Sequence, residues 1–456
     1  MESTSNTLTI SLCFCFCFII IQANVVLASS NNSNNPFPKE AHPTKSGYLP
    51  VSTTSSSAIF YAFYEAQNST ISLSQTPLLI WLQGGLGTSS MIGNLYEVGP
   101  WLITQSLTLQ PNSASWNRIF GLLFLDNPIG TGFSVASSPN EIPTDQKGVA
   151  KHLFASITRF LQLDPVFKHR PIYLIGNSYG GKYVTSLGYY ILKENARRLS
   201  GSQRVNLVGV VIGDGATEPV TQVATSADSG YYVGLINEKQ KRELEKLQWE
   251  AVRLERIGNW KEATDAVQIV WSKFQDMAGL HSLFDYTMRK DSYPFYDDWI
   301  NQFMNKAEVK KALGVNESQV FNVHNDVVHA ALSEDLAKSV KHMVEHLLRS
   351  GIQVLLYQGQ YDLVGGPVQV EAWVKTLKWE GIEEYLNAER KIWKVNGELA
   401  GYVQQWKSLT NVVVLGGGHL LPADQPLNAQ TMIQDWVLQR GIFGNSPSFS
   451  YISMWN

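Results

Sequence analysis

Ser178 sits between two glycines in "IGNSYGG" (175–181), just past the apolar run "IYLI". A serine hydroxyl is a weak nucleophile at neutral pH. It becomes useful only when an imidazole takes its proton and a carboxylate holds that imidazole in the right tautomer. Two residues further along stand in the same context: Asp362 follows the run "VLLY", and His419 follows "VVVL". Asp214, in "VVIGDG", also follows an apolar run and is a rival acid. It precedes a long charge-rich segment, whereas Asp362 follows that segment and lies nearer to His419 in the chain, so Asp362 is the favoured partner. Acyl chemistry at Ser178 also needs two backbone N–H groups aimed at the developing oxyanion. Tyr179, directly after the serine, supplies one. Gly85, in the Gly-rich loop of "LLIWLQGGLGTSS", supplies the other.

The elements that must position these residues follow from the patterning. The runs "IFYAFYEA", "PLLIWLQ", "GLLFLDNP", "PIYLIGNS" and "VNLVGVVIGDG" alternate with Gly/Pro/Asn turns, and similar runs return at "GIQVLLYQGQYD" and "NVVVLGGGH". Continuous apolar runs of this length suit strands covered on both faces of a mostly parallel sheet. Val149, Leu153, Ile157 and Leu161 recur every four residues and predict a helix over Asp145–Leu161. The order Ser, Asp, His at the ends of such strands is that of an α/β-hydrolase fold. The predicted organisation is a core in two parts, 46–215 and 331–456, interrupted by a helical insertion (cap) over 216–330. Within the insertion Leu244, Leu247, Ala251 and Leu254 form one stripe, and a last helix lies near Ala429–Arg440.

The 456 residues include 44% hydrophobic and 16% charged residues, enough apolar matter for a large core. A net charge of −3 leaves no basic footprint for nucleic acid. Residues 1–28 read as a signal peptide ending at Val26-Leu27-Ala28, with an uncleaved anchor as the alternative. After cleavage no membrane association is expected. The polar, Pro-rich stretch 29–45 reads as a disordered leader. Cys13, Cys15 and Cys17 all lie in the first segment, so the mature chain would have no thiol. Asn31, Asn68 and Asn316 head glycosylation sequons. No metal ligand set or cofactor motif is present; His324 and His329, in "NVHNDVVHA", read as surface or capping residues.

From "SGYLPV" to "GGGHLLPADQP" the chain resembles the serine carboxypeptidases, through "WLQGGLGTSS", "YEVGPW", "SWNRIFGLLFLDNPIGTGFS", "IGNSYGG", "IGDGATEP" and "YQGQYD". It looks most like their vitellogenic-like branch and its plant relatives. The resemblance implies release of C-terminal residues from peptides or protein C-termini through an acyl-enzyme, without cofactor, in a secreted, vacuolar or lysosomal setting. It implies that Gln83, Gly84, Glu97 and Asn177 grip the substrate's terminal carboxylate. Five positions depart from the family pattern. Gln83 stands for an asparagine and keeps its amide donor one methylene further out. Leu86 stands for a proline of the oxyanion loop, and Thr88 for a cysteine that is often disulfide-bonded. Asp214 stands where "GNG" is usual. Asn177 stands for a glutamate that, with the counterpart of Glu97, forms an acid pair accounting for acid-favoured cleavage. The alternatives left open are an acyltransferase of the same family and a catalytically impaired secreted homologue.

Overall fold

The computed structural model describes residues 36–198, 204–289 and 296–444. The expected signal peptide and Asn31 lie outside the described residues. The leader expected to be disordered through 45 is in fact packed from Pro36 onward: Phe37 is buried and its ring meets Phe303 edge-on at 5.7 Å. An aromatic that finds a core pocket outweighs the polar residues around it.

Strands β1 (Lys45–Pro50), β2 (Ala58–Tyr64), β3 (Leu78–Leu82), β4 (Trp101–Ile103), β5 (Leu109–Pro111), β6 (Gly121–Leu125), β7 (Ile172–Asn177), β8 (Leu207–Gly213), β9 (Gln353–Gly359), β10 (Lys391–Val395), β11 (Glu398–Trp406) and β12 (Leu409–Val414) form two sheets. β4 and β5 make a small hairpin. The other ten form one sheet in the order β1-β2-β6-β3-β7-β8-β9-β12-β11-β10. β6, β3, β7, β8, β9 and β12 are mutually parallel, flanked by antiparallel strands at both edges. This is the mostly parallel sheet that the apolar runs imply. β3, β7 and β9 are buried from end to end, so their side chains alternate between two covered faces. Leu78, Ile80 and Leu82 pack on one side, and Leu79 and Trp81 on the other.

On the first face lie α1 (Gln146–Phe160), capped by Asp145 accepting from Gly148 N, and α2 (Gly180–Arg197). The insertion begins with α3 (Pro219–Val223), α4 (Ser226–Tyr232), α5 (Glu238–Arg256) and α6 (Trp260–Ala278). The charge-rich segment is a helical hairpin broken at Gly258, which adopts a φ of 80°. Its buried face is rotated from the expected stripe: Leu244 and Ala251 are buried, but Gln248 and Glu255 join them. Gln248 is admitted because its amide accepts from Ala227 N and donates to Ala224 O.

The second half of the expected insertion, with α7 (Tyr296–Met304), α8 (Ala307–Leu313) and α9 (Asp326–Leu332), packs onto the sheet. Ile300, Phe303 and Phe321 join the core beneath the sheet's second face. The chain closes with α10 (Lys341–Arg349), α11 (Pro367–Val374), α12 (Ile382–Leu386), α13 (Leu421–Asp424) and α14 (Pro426–Val437). Of these, α14 covers the second face through Met432, Ile433 and Trp436. No described helix is long and apolar enough to cross a membrane.

Candidate active site

Ser178 occupies the turn between β7 and α2 with a φ of 58°, a left-handed conformation that a non-glycine residue adopts at a cost of about 1–2 kcal/mol. Its backbone is pinned on both sides: its N–H donates to Gly213 O at 2.8 Å, and its carbonyl accepts from Gly181 N and Ala216 N. The flanking glycines are steric requirements of this bend. A Cβ on Gly176 would stand 2.1 Å from Gly180 O, and one on Gly180 would stand 2.3 Å from Leu82 O. Tyr179 caps the N-terminus of α2, where first-turn N–H groups have no helical partner. Gly85, at φ 77°, lies in the loop after β3 and lines the same cavity as Ser178 and Tyr179.

His419 lies after β12 and Asp362 after β9, the neighbouring parallel strand. Nδ1 of His419 is 2.7 Å from Oδ2 of Asp362, while Nε2 is buried without a hydrogen-bond partner in the protein. Asp362 is further held by Val364 N at 2.7 Å and Gly365 N at 3.0 Å. Asp214, the rival acid, does not hydrogen-bond His419; its Oδ1 accepts from Gly359 N at 2.8 Å. Ser178 and His419 open on one cavity of about 190 Å3. Its walls are mainly apolar and include Leu86, Val223, Val267, Trp271 and Leu336.

Of the residues expected to grip a carboxylate, Gln83 and Glu97 are joined, Nε2 of Gln83 donating to Oε1 of Glu97 at 3.2 Å. Trp81 Nε1 donates to Gln83 Oε1 at 2.7 Å and so fixes which end of the amide faces Glu97. Asn177 is fully buried with its Nδ2 turned to His419 O at 3.3 Å, and its Oδ1 has no protein partner. Gly84 abuts the serine turn. None of these four lines the cavity that Ser178 and His419 share. The sequons at Asn68 and Asn316 are exposed.

Several neighbours of the site carried no sequence signal. The Phe284 ring stacks on the His419 imidazole at 4.4 Å and 15°, and its carbonyl accepts from His419 N at 2.7 Å. The hydroxyl of Tyr179 donates to Asp335 at 2.6 Å beside Gln146, and Lys182 donates to the carbonyls of Asp335, Leu336 and Lys338. This buried network ties the residue after the serine to the wall that carries Leu336. His329 lines the cavity. His324 bridges Thr88 and Asp297 at 2.9 and 3.0 Å. The residue types in these contacts are ordinary; only the tertiary path brings them together.

Burial shapes the titration of the acids around the site. It pushes Glu97 up to about 8, with the Gln83 hydrogen bond opposing, and Asp126 and Asp424 up to about 6 each. Glu255 in the insertion is likewise raised to about 8. In the unfolded chain such groups lose their protons near pH 4. Between pH 4 and 8 these four acids therefore hold more protons in the folded state than in the unfolded one, so the stability they contribute is greatest in acid and falls as pH rises through that window. The midpoint of urea unfolding is expected to be higher at pH 5 than at pH 8, with Glu97→Gln narrowing the gap. A midpoint that climbs from pH 5 to pH 8 would contradict this.

A serine on a sharp strand–helix turn, with an Asp–His pair at the ends of neighbouring parallel strands, defines a hydrolase of the α/β type. The Serine carboxypeptidase (Peptidase S10) family model matches residues 35–439. The chain is 49% identical over 424 residues to "Serine carboxypeptidase-like 50" of Arabidopsis thaliana, covering 92% of this chain and 94% of that relative. It is 33% identical to the human "Probable serine carboxypeptidase CPVL", covering 89% and 85%. Among solved structures it superposes on Kex1(Δ)p, a prohormone-processing carboxypeptidase of Saccharomyces cerevisiae. There the TM-score is 0.78 and the identity 24%, covering 87% of this chain and 92% of that one. The chain belongs to the serine carboxypeptidase family.

Proposed function

We propose that this chain releases C-terminal residues from peptides through an acyl-enzyme on Ser178. His419 Nε2 takes the hydroxyl proton as Oγ attacks the scissile carbonyl, and later returns it to the leaving amine; Asp362 holds Nδ1–H and stabilises the imidazolium. The N–H groups of Gly85 and Tyr179 receive the oxyanion. The observation that supports this reading most is the His419–Asp362 hydrogen bond opening with Ser178 on one cavity. The apolar walls of that cavity suit a bulky apolar residue on the acyl side of the scissile bond. A secretory route, with glycans on exposed Asn68 and Asn316, goes with this activity.

The test is release of leucine from Z-Phe-Leu between pH 4 and 8 beside a Ser178→Ala control. Release that disappears in the control supports the reading. No release, with Ser178 still labelled by a fluorophosphonate, would move the assignment to acyl transfer. Neither release nor labelling would mean an impaired site.

The same assay addresses Asn177. An amide at this position donates hydrogen bonds at any pH, and burial keeps Glu97 protonated until about pH 8. Neither group changes state between pH 5 and 7, so these residues are expected to impose no acid-favoured fall in kcat/KM across that range. By the family resemblance, Asn177→Glu supplies the second acid of the pair with Glu97 and is expected to restore an acid-favoured profile, with activity falling roughly tenfold from pH 5 to 7. That corresponds to about one titrating group. A steep fall in the parent that Asn177→Glu leaves unchanged would refute the argument.

A further inference from the structure

We propose that Asp214 is a positioning residue for the triad: its carboxyl group carries a proton and donates a hydrogen bond to Asp362, fixing that carboxylate against Nδ1 of His419. The inference rests on the triad assignment above.

The geometry comes from two neighbouring strand ends. β8 and β9 run parallel with Gly213 opposite Tyr357, so the residues that follow each strand meet. Asp214 takes a φ of 45°, its N–H donates to Tyr357 O at 2.9 Å, and Gly359 N donates to its Oδ1. The 362–366 loop rests directly on it: a Cβ on Gly365 would stand 2.2 Å from Asp214 O. One carboxylate oxygen of Asp214, one of Asp362 and a ring nitrogen of His419 all lie within 4.8 Å of one another, and all three residues are buried.

Two buried carboxyl groups this close cannot both be ionised; they share one proton between them. Which one holds it follows from the donors around each. Asp362 faces two backbone N–H groups and the imidazole Nδ1. Asp214 receives one N–H, from Gly359, and its Oδ2 is buried with no protein donor. The charge therefore settles on Asp362 and the proton on Asp214, whose bare Oδ2 carries it toward its neighbour.

The other groups facing Asp214 agree. Burial and the charge of Asp362 hold its carboxyl well above the usual range, and the charge of Asp424 adds to them. Tyr357, from β9, faces it with a buried phenol that burial keeps neutral. His419 is the only group among these described residues able to carry positive charge. The consequence is a site with an alkaline limit of its own. When Asp214 loses its proton, a second negative charge opposes Asp362 and its grip on His419 loosens.

The test measures the second-order rate of Ser178 labelling by a fluorophosphonate from pH 5 to 10. This reaction uses the triad but not the carboxylate-gripping residues. The parent rate is expected to rise and then fall on the alkaline side. Asp214→Asn keeps an acceptor for Gly359 N–H and offers Asp362 an N–H donor at every pH. It is expected to label within threefold of the parent at pH 6 and to lose the alkaline fall. Asp214→Ala removes the donor and is expected to label at least tenfold more slowly throughout, with its far-ultraviolet circular dichroism unchanged. An Asp214→Asn profile that superimposes on the parent's would overturn the proposal, as would an Asp214→Ala rate equal to the parent's. Absence of peptide release with labelling intact would count against the peptidase reading alone.

Discussion

Asp362→Asn is expected to lower kcat for Z-Phe-Leu by about 10⁴ while leaving the fold intact, the size expected when a triad carboxylate becomes an amide. The carboxylate does one thing that an amide cannot: its Oδ2, 2.7 Å from His419 Nδ1, requires Nδ1 to carry the proton and so leaves Nε2 free to act as the base. With an N–H in that place the imidazole turns to the opposite tautomer, and Nε2 presents a proton to Ser178 instead of a lone pair. Part of the backbone support survives, because the oxygen facing Val364 N can stay where it is, while Gly365 N, which donates to the same Oδ2 as the imidazole, loses its acceptor. Asp214 makes no hydrogen bond to the ring, and its Oδ1 is engaged by Gly359 N, so it is not in place to substitute. The readout is kcat beside the urea midpoint of the same variant. A loss smaller than tenfold with an unchanged midpoint would remove Asp362 from the orienting role.

How much of this site could be read from the sequence depends on what fixes each residue. Ser178, Asp362 and His419 each follow a buried parallel strand, and parallel strands end on one edge, so an apolar run followed by a glycine turn already locates them. The same logic marks Gly85 and Tyr179. The apolar-run pattern alone does not rank Asp362 over Asp214, since both end such runs; their order relative to the insertion and His419 favours Asp362, and the structure adds hydrogen bonds of 2.7 and 2.8 Å to different partners. Phe284 was beyond reach for another reason. It lies in an irregular loop, and no period relates residue 284 to residue 419, although the two rings stack. Trp271 and Val267 belong to α6, whose helical character is legible, but the face it turns to the cavity depends on how the hairpin docks. Burial of Gln248 and Glu255 shows the same limit, since a charged or amide side chain on a helix reads as surface until its partners are known.

Gly84→Ala is expected to damage activity and stability together. Gly84, two residues past β3, lies against the serine turn so closely that a Cβ would lie 2.6 Å from Asn177 O, 2.6 Å from Tyr179 N and 2.7 Å from Ser178 Cβ. Two of those atoms are main chain, and the third belongs to a residue pinned through its own backbone to Gly213, Gly181 and Ala216. Nothing at the turn can swing aside, so the oxyanion loop must retreat. A displacement of about 1 Å is enough to cost 10²-fold in rate. Forcing the methyl into this contact destabilises the fold by about 3 kcal/mol. The two losses should appear together as slower fluorophosphonate labelling of Ser178 and a lower urea midpoint. Gly397→Ala is the matched control. It has a φ of 87° but open space where its Cβ would stand, so it pays only the backbone strain of about 1 kcal/mol and should label at the parent rate. Parent-like labelling in Gly84→Ala would mean that the loop and the serine turn are not rigidly coupled, and the oxyanion assignment of Gly85 would lose its structural support.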